Sequence, residues 1–288
     1  MIIENEYLRV EIAALGAELT RITDRRTGEE YLWEADPAYW KRHSPILFPN
    51  VGKHYQNQLR VNGQTYRTAQ HGFARDRTFE VEALLPTSAS FALRSDADTL
   101  RCYPFAFELR AGYALENRTL RVTWSVANPD SAPMYFTIGG HPAFRFAPGA
   151  RKSDYFLRFP GCDSLQYILL DPASGTALPG DRHQLILEDH RLPLSEALFE
   201  KDALVFDGTQ IEEVWLCRAD GAPRVGMRCP GFPNYGIWSV KDAPFVCLEP
   251  WMGRCDDVGF SGDISQKPGI IRLAGGQTFE ASYEIVIA

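Results

Sequence analysis

Three side chains in this sequence have types and settings suited to proton chemistry: His141 within Gly139-Gly140-His141-Pro142-Ala143-Phe144, Glu249 within Phe245-Val246-Cys247-Leu248-Glu249-Pro250-Trp251, and His71 within Gln70-His71-Gly72-Phe73-Ala74-Arg75. They lie far apart in the chain, each framed by glycine, proline or aromatic residues that restrict the local backbone. An imidazole that gives a proton and a carboxylate that takes one are the minimum equipment for moving protons on a neutral ligand. Glu249 ends an apolar run, where an ionised carboxylate is costly unless paired. That setting fits an internal salt bridge, or a carboxyl whose pKa is tuned for proton transfer. His141 alone reads equally well as a buried histidine bonded to backbone. Arg75 lies four residues after His71 and could bind ligand hydroxyls, with Asp76 and Glu80 as its alternative partners.

Trp238 and Trp251 are close in sequence to Glu249, and aromatic faces make apolar platforms for the C–H faces of a sugar ring. At least one of them is expected to be core. His43 and His54 flank a loop, residues 45–52, that could line a pocket, whereas His183 and His190 sit in a charged, solvated region. Metal binding is the rival use of the histidines. No HExxH or HxH pair is present, so ligands would have to converge from distant strands. No GxSxG occurs, no cysteine has a histidine-rich context, and no phosphate loop is needed.

Elements able to position these groups are strands. Phe107–Leu115 and Leu120–Val126 alternate apolar and polar residues about a turn at Asn117-Arg118, which predicts an antiparallel hairpin with one buried face. Asn62-Gly63 predicts another within Gln58–Arg67. Further strands fit Met134–Ile138, Tyr235–Val240, Phe245–Glu249 and Phe279–Ile287. Helical patterns are few: a turn near Asp36–Trp40 and Leu194–Glu200. Leu170–Arg182 reads as a long surface loop. The pattern predicts an all-β fold of antiparallel sheets with few short helices, and residues 1–288 as one domain. Net charge is −7 with no basic cluster, which argues against nucleic acid as a partner. No apolar run approaches the ~18 residues of a membrane span, and the first residues lack a signal-peptide pattern. The six cysteines show no paired spacing and read as reduced. The expected location is cytoplasmic, as a monomer or homodimer.

Taken together, Leu47-Phe48-Pro49-Asn50-Val51-Gly52, Gln70–Arg75, Gly140–Phe144, Pro230-Gly231-Phe232-Pro233, Cys247–Trp251, Ser261-Gly262 and Lys267-Pro268-Gly269-Ile270 resemble the aldose 1-epimerase (galactose mutarotase) family, in particular its short bacterial branch. The resemblance runs in order from near Tyr7 to the C-terminus. It implies a galactose mutarotase-like β-supersandwich, a monosaccharide ligand, and no metal or organic cofactor. It further implies His141 as general acid, Glu249 as general base, and His71 as a group that binds or polarises the sugar. It implies a substrate-binding aspartate, for which Asp202 is the candidate, beside Arg75, Trp238 and Trp251 as sugar-binding residues. Where galactose enzymes of the family carry an Asn-Arg pair, this chain has Asn57-Gln58, so the sugar-binding arginine has no counterpart there.

On this reading His141 and Glu249 should face each other across a gap wide enough for a pyranose, and a nearby carboxylate should raise the histidine's pKa. Two rivals remain. One is a sugar-phosphate (hexose-6-phosphate) 1-epimerase with an anion site at Lys53, Arg75 and Arg77; the other is a non-catalytic carbohydrate-binding protein.

Overall fold

Period-two alternation over Glu108–Glu116 and Thr119–Ala127 produces the expected hairpin, with Leu109 opposite Val126 and Tyr113 opposite Val122. The computed structural model describes residues 1–288. This hairpin lies within a nine-stranded antiparallel sheet, flanked on one side by Ser88–Arg94 and the edge strand Glu80–Leu85. On its other side Thr278–Ile287 leads to Pro223–Arg228, Glu213–Arg218, Tyr155–Arg158 and the short edge strand Arg191–Pro193. A second, eight-stranded sheet runs through Ala177–Ile186, Ser164–Leu170, Leu204–Asp207, Asn234–Trp238, Phe245–Met252, Ile138–Gly140 and Ile46–Leu47, with Ala143–Arg145 also paired to Phe245–Met252. Helix accounts for only 7% of the residues.

The two sheets share one core. Leu109, Val122, Trp124 and Ile285 of the first and Ile138, Leu204, Ile237, Val246 and Leu248 of the second belong to one cluster of 60 buried side chains. Phe245–Met252 is buried along nearly its whole length because both of its faces are covered. Val246 and Leu248 point into the shared core. Phe245, Cys247, Glu249 and Trp251 project to the opposite face, where the candidate site is built.

Several local expectations change. Leu170–Arg182 is no long loop: Ala177–Ile186 folds back on Ser164–Leu170, closed by a turn in which the Asp171 carboxylate accepts from the Ser174 backbone N–H and hydroxyl. Pro179 is tolerated because this is the sheet's outermost strand. Met134–Ile138 breaks at Thr137, where the chain steps from pairing with Ile271–Leu273 into the eight-stranded sheet. Leu194–Glu200 reduces to a 3-10 turn at Ala197–Phe199. The one α-helix, Ala97–Cys102, carries a capping box that the alternation-based reading passed over: Asp96 accepts from the Thr99 N–H and Thr99 Oγ1 accepts from the Asp96 N–H. No helix is long and apolar enough to cross a membrane.

Candidate active site

On the outer face of the eight-stranded sheet lies a cavity of about 530 Å³, within the size range of small-molecule sites. Its walls include His141, Glu249, His71, Arg75, Asp202, Trp238 and Trp251, brought together from segments up to 180 positions apart. Trp40, Lys41 and Arg42 also line it; the sequence had suggested only a turn there.

Strand register sets the two central groups. Gly139 pairs with Trp251 and Ala143 with Cys247 in one continuous register, which puts His141 directly across from Glu249. Their side chains touch: His141 Nε2 is 3.3 Å from Glu249 Oε2. The expected pyranose-wide gap between them is therefore absent, because directly opposed cross-strand side chains cannot stand a ring's width apart. Both side chains are at least nine-tenths buried.

That burial also reverses the expected histidine shift. His141 is lowered to about 3, chiefly because burial penalises the imidazolium, with the Arg75 and Arg42 charges adding to it. Glu249 is pushed well above the usual carboxylate range by burial, which outweighs an opposing effect of the Trp251 indole, with the Asp202 charge adding least. A carboxylate neighbour raises a histidine's pKa only while it is ionised, and burial favours the protonated acid here. The pair thus holds one proton over a wide pH span, as Glu–COOH with neutral imidazole or as carboxylate with imidazolium.

Aromatic rings fix the His141 imidazole. Trp40 stacks on it with centroids 4.7 Å apart at 27°, and Trp238 and His71 meet it edge-on at 5.6 and 5.5 Å. Trp40 is itself held by the Trp33 indole, which donates to the Trp40 carbonyl at 2.7 Å. Trp251 is buried and lies over Gly139 and Gly236, where any Cβ would overlap its indole, so these glycines make room for the ring beside Glu249.

His71 and Gly72 both have positive φ, +65° and +68°. A Cβ on residue 72 would run into the Phe48 backbone carbonyl, so glycine is required for this turn. The turn aims His71 Nδ1 at the Gly52 backbone N–H, from which it accepts at 3.0 Å. An accepting Nδ1 leaves the proton on Nε2, so neutral His71 presents an N–H donor. Burial, with the nearby Arg75 and Arg42 guanidinium groups adding to it, holds it well below the usual imidazole range and keeps it neutral. Asp202 stands exposed at the rim with φ +77°, its carboxylate accepting from the Ala203 N–H at 2.9 Å.

Four buried polar atoms on residues of this wall have no hydrogen-bond partner: Glu249 Oε2, His141 Nδ1, Trp251 Nε1 and Arg75 Nε. Eight further buried side-chain polar atoms lie without a partner elsewhere in the chain, so it is the grouping of these four on one cavity wall that distinguishes the site. The residues expected to form an anion site do not gather at the cavity as a set. Arg77 faces Asp96 and Asp98, away from the cavity, and Lys53 does not line the cavity, although its ammonium end lies against the lining residue Gly175. Asn57 and Gln58 do not reach the cavity; Arg42 and Arg75 supply the guanidinium groups there. His43 and His54 stay outside as well. His141, Cys247 and Glu249 do converge as potential metal ligands, with donor atoms within 4.8 Å of one another. Burial keeps the Cys247 thiol protonated.

The family model for aldose 1-epimerase matches residues 1–178, and the LacX protein of Lactococcus lactis subsp. lactis is 32% identical over 99% of this chain and 98% of its own length. The chain belongs to the aldose 1-epimerase family. The family match includes His71 and His141 but ends before Glu249, whose strand is covered by the LacX alignment. A galactose mutarotase related enzyme from Lactobacillus acidophilus superposes with a TM-score of 0.94 at 34% identity, covering 100% of this chain and 97% of that one. A galactose mutarotase-like protein from Lactobacillus casei gives 0.91 at 31%, covering 100% and 99%. The galactose mutarotase-like fold is thereby shown for this member of the family.

Proposed function

We propose that this protein interconverts the α and β anomers of an aldose by ring opening and reclosure, with His141 and Glu249 as a pair that shares one catalytic proton. The observation that carries this reading is their direct contact on the cavity wall beside unpartnered polar atoms. The hydroxyl oxygen to be deprotonated and the ring oxygen to be protonated are both bonded to the anomeric carbon. Two proton-handling groups side by side suit that geometry better than groups on opposite walls. In opening, the Glu249 carboxylate takes the proton of the anomeric hydroxyl, its electrons form the C1=O double bond, the bond from C1 to the ring oxygen breaks, and the His141 imidazolium protonates that oxygen. The pair ends as carboxylic acid and neutral imidazole, the form burial favours. After rotation about C1–C2, the acid protonates the aldehyde oxygen while the imidazole takes the C5 hydroxyl proton, and the ring closes on the other face.

Each positioned proton transfer contributes ~10²–10⁴-fold, so two supply roughly 5–11 kcal/mol of barrier lowering. The Nε2–H of His71 and the indole N–H of Trp251 are donors for sugar hydroxyls, and Trp238 offers a ring to an apolar sugar face. The test is exchange NMR between anomeric protons, or polarimetry, across a panel of aldoses. Acceleration of at least one sugar, removed by His141→Asn or Glu249→Gln, is the expected result. A folded protein that accelerates no aldose overturns it.

A further inference from the structure

Residues 40–45 form neither helix nor strand, yet they supply Trp40, Lys41 and Arg42 to the cavity wall and stack Trp40 on His141. A segment without its own hydrogen-bond ladder must be held from outside. The His43 and Ser44 backbone N–H groups both donate to one oxygen of Glu18, Oε1, at 2.8 and 3.0 Å. Neither N–H has a backbone acceptor, and Ser44 is buried, where an unpaired donor is costly. The same stretch then meets the His141 backbone. The His43 carbonyl accepts from the Ala143 N–H at 2.9 Å, and the Pro45 carbonyl accepts from the His141 N–H at 3.2 Å. Glu18 therefore fixes the point where the Trp40 segment joins the strand that carries the catalytic imidazole.

Glu18 can hold that segment because its own turn is rooted. Residues 13–18 join the antiparallel strands Leu8–Ile12 and Leu19–Asp24. Within the turn, the Gly16 N–H donates to the Arg77 carbonyl at 2.7 Å, and a Cβ on Gly16 would lie 3.0 Å from the Arg75 carbonyl. The Tyr113 hydroxyl, from the nine-stranded sheet, donates to the Ala17 carbonyl at 2.6 Å. One turn thus braces two parts of the cavity wall, residues 75–77 through backbone and residues 43–44 through the Glu18 carboxylate. Glu18 does not line the cavity, and its side chain is 14% exposed. Burial pushes its carboxyl upward, but the hydrogen bonds from His43 and Ser44 outweigh burial and hold it below the usual carboxylate range.

We propose that Glu18 is a positioning residue of the active site: its carboxylate holds the backbone of His43 and Ser44, and through them keeps Trp40 stacked on His141. The kinetic consequence rests on the epimerase reading; the structural one does not.

The experiment separates reach from charge. Glu18→Gln keeps an oxygen at the same reach and removes the charge, Glu18→Asp keeps the charge and draws the oxygen back by one methylene, and Glu18→Ala removes both. Each variant is studied well below its melting temperature, by anomer-exchange NMR and by the His141 ring resonances, which the stacked Trp40 ring shifts directly. Trp40→Leu serves as the reference for an unstacked imidazole. Glu18→Ala and Glu18→Asp should move the His141 resonances toward that reference and lower kcat/KM roughly three- to tenfold, the size of an aromatic pair contribution. Glu18→Gln should leave both close to wild type. Adding Glu18→Ala to Trp40→Leu should cost little beyond Trp40→Leu alone, because Glu18 acts through that ring. If Glu18→Ala does not fold, the Asp and Gln substitutions carry the comparison. A lower melting temperature with unchanged His141 resonances and unchanged kcat/KM overturns the inference. So does an impaired Glu18→Gln beside a normal Glu18→Asp, which assigns the effect to charge. If wild type turns over no aldose, the epimerase reading fails and the resonances alone decide the role of Glu18. Movement in Glu18→Asp with none in Glu18→Gln supports it, and any other pattern overturns it.

Discussion

Replacing Glu249 by Gln removes an ionisable oxygen from the cavity wall with almost no change in shape. Glu249 lies opposite His141 in register and 3.3 Å from it, so the substitution takes away half of a one-proton pair. Loss of one positioned proton transfer should lower kcat by ~10²–10⁴-fold, or roughly 3–5 kcal/mol of transition-state stabilisation. Because the groups act as one unit, His141→Asn should cost a similar amount. The double variant should lose little more than either single one. Stability should move the other way. A carboxyl raised above its unfolded value binds its proton more tightly in the fold, so wild-type stability falls as pH rises above the unfolded value of 4.5. Glu249→Gln escapes that loss, and in urea titrations it should be at least as stable as wild type at pH 5 and more stable at pH 8. Anomer exchange measured on all four proteins provides the kinetic test. Single losses that multiply in the double variant would refute the shared-proton argument, as would a Gln variant that is less stable at pH 8.

Further outcomes follow from other parts of the molecule. His54 is buried beside Thr68, Asp256, Lys267 and Arg60, and burial lowers it to about 4, so the unfolded chain takes up its proton first as pH falls through 6.5. Going from pH 8 to 5 should cost roughly 2 kcal/mol through this residue alone, and a His54→Gln variant with an unchanged acid slope in denaturant melts would contradict that. Gly72→Ala meets both the positive φ and the Phe48 carbonyl, so thermal melts should reveal a loss of at least about 2 kcal/mol; a neutral outcome would mean that the His71 turn is not rigid. Trp40→Leu removes the ring stacked on His141, and kcat/KM should fall roughly three- to tenfold, the size of an aromatic pair contribution. Wild-type kinetics in that variant would assign Trp40 to packing alone.

Alternation determined the sheets. Phe107–Val126 could bury one face only as paired antiparallel strands, and Asn62-Gly63 could close its hairpin because glycine and asparagine accept positive φ. The residues gathered at the cavity were legible as well, since a carboxylate after an apolar run, a histidine between glycines and proline, and a histidine before glycine are each poorly explained by solvent exposure. Distance and charge state were not legible. Contact between His141 and Glu249 depends on the register of two strands more than 100 positions apart, and register leaves no mark in local pattern. The downward shift of His141 depends on how fully the sheet, Trp40 and Trp238 exclude water from it, a property of the packed layers. Arg42 and Trp40 escaped notice because they sit in an irregular segment without period, and only tertiary folding turns that segment over the cavity. Side-chain chemistry is written residue by residue, whereas dielectric environment and opposition across strands exist only once distant segments have packed.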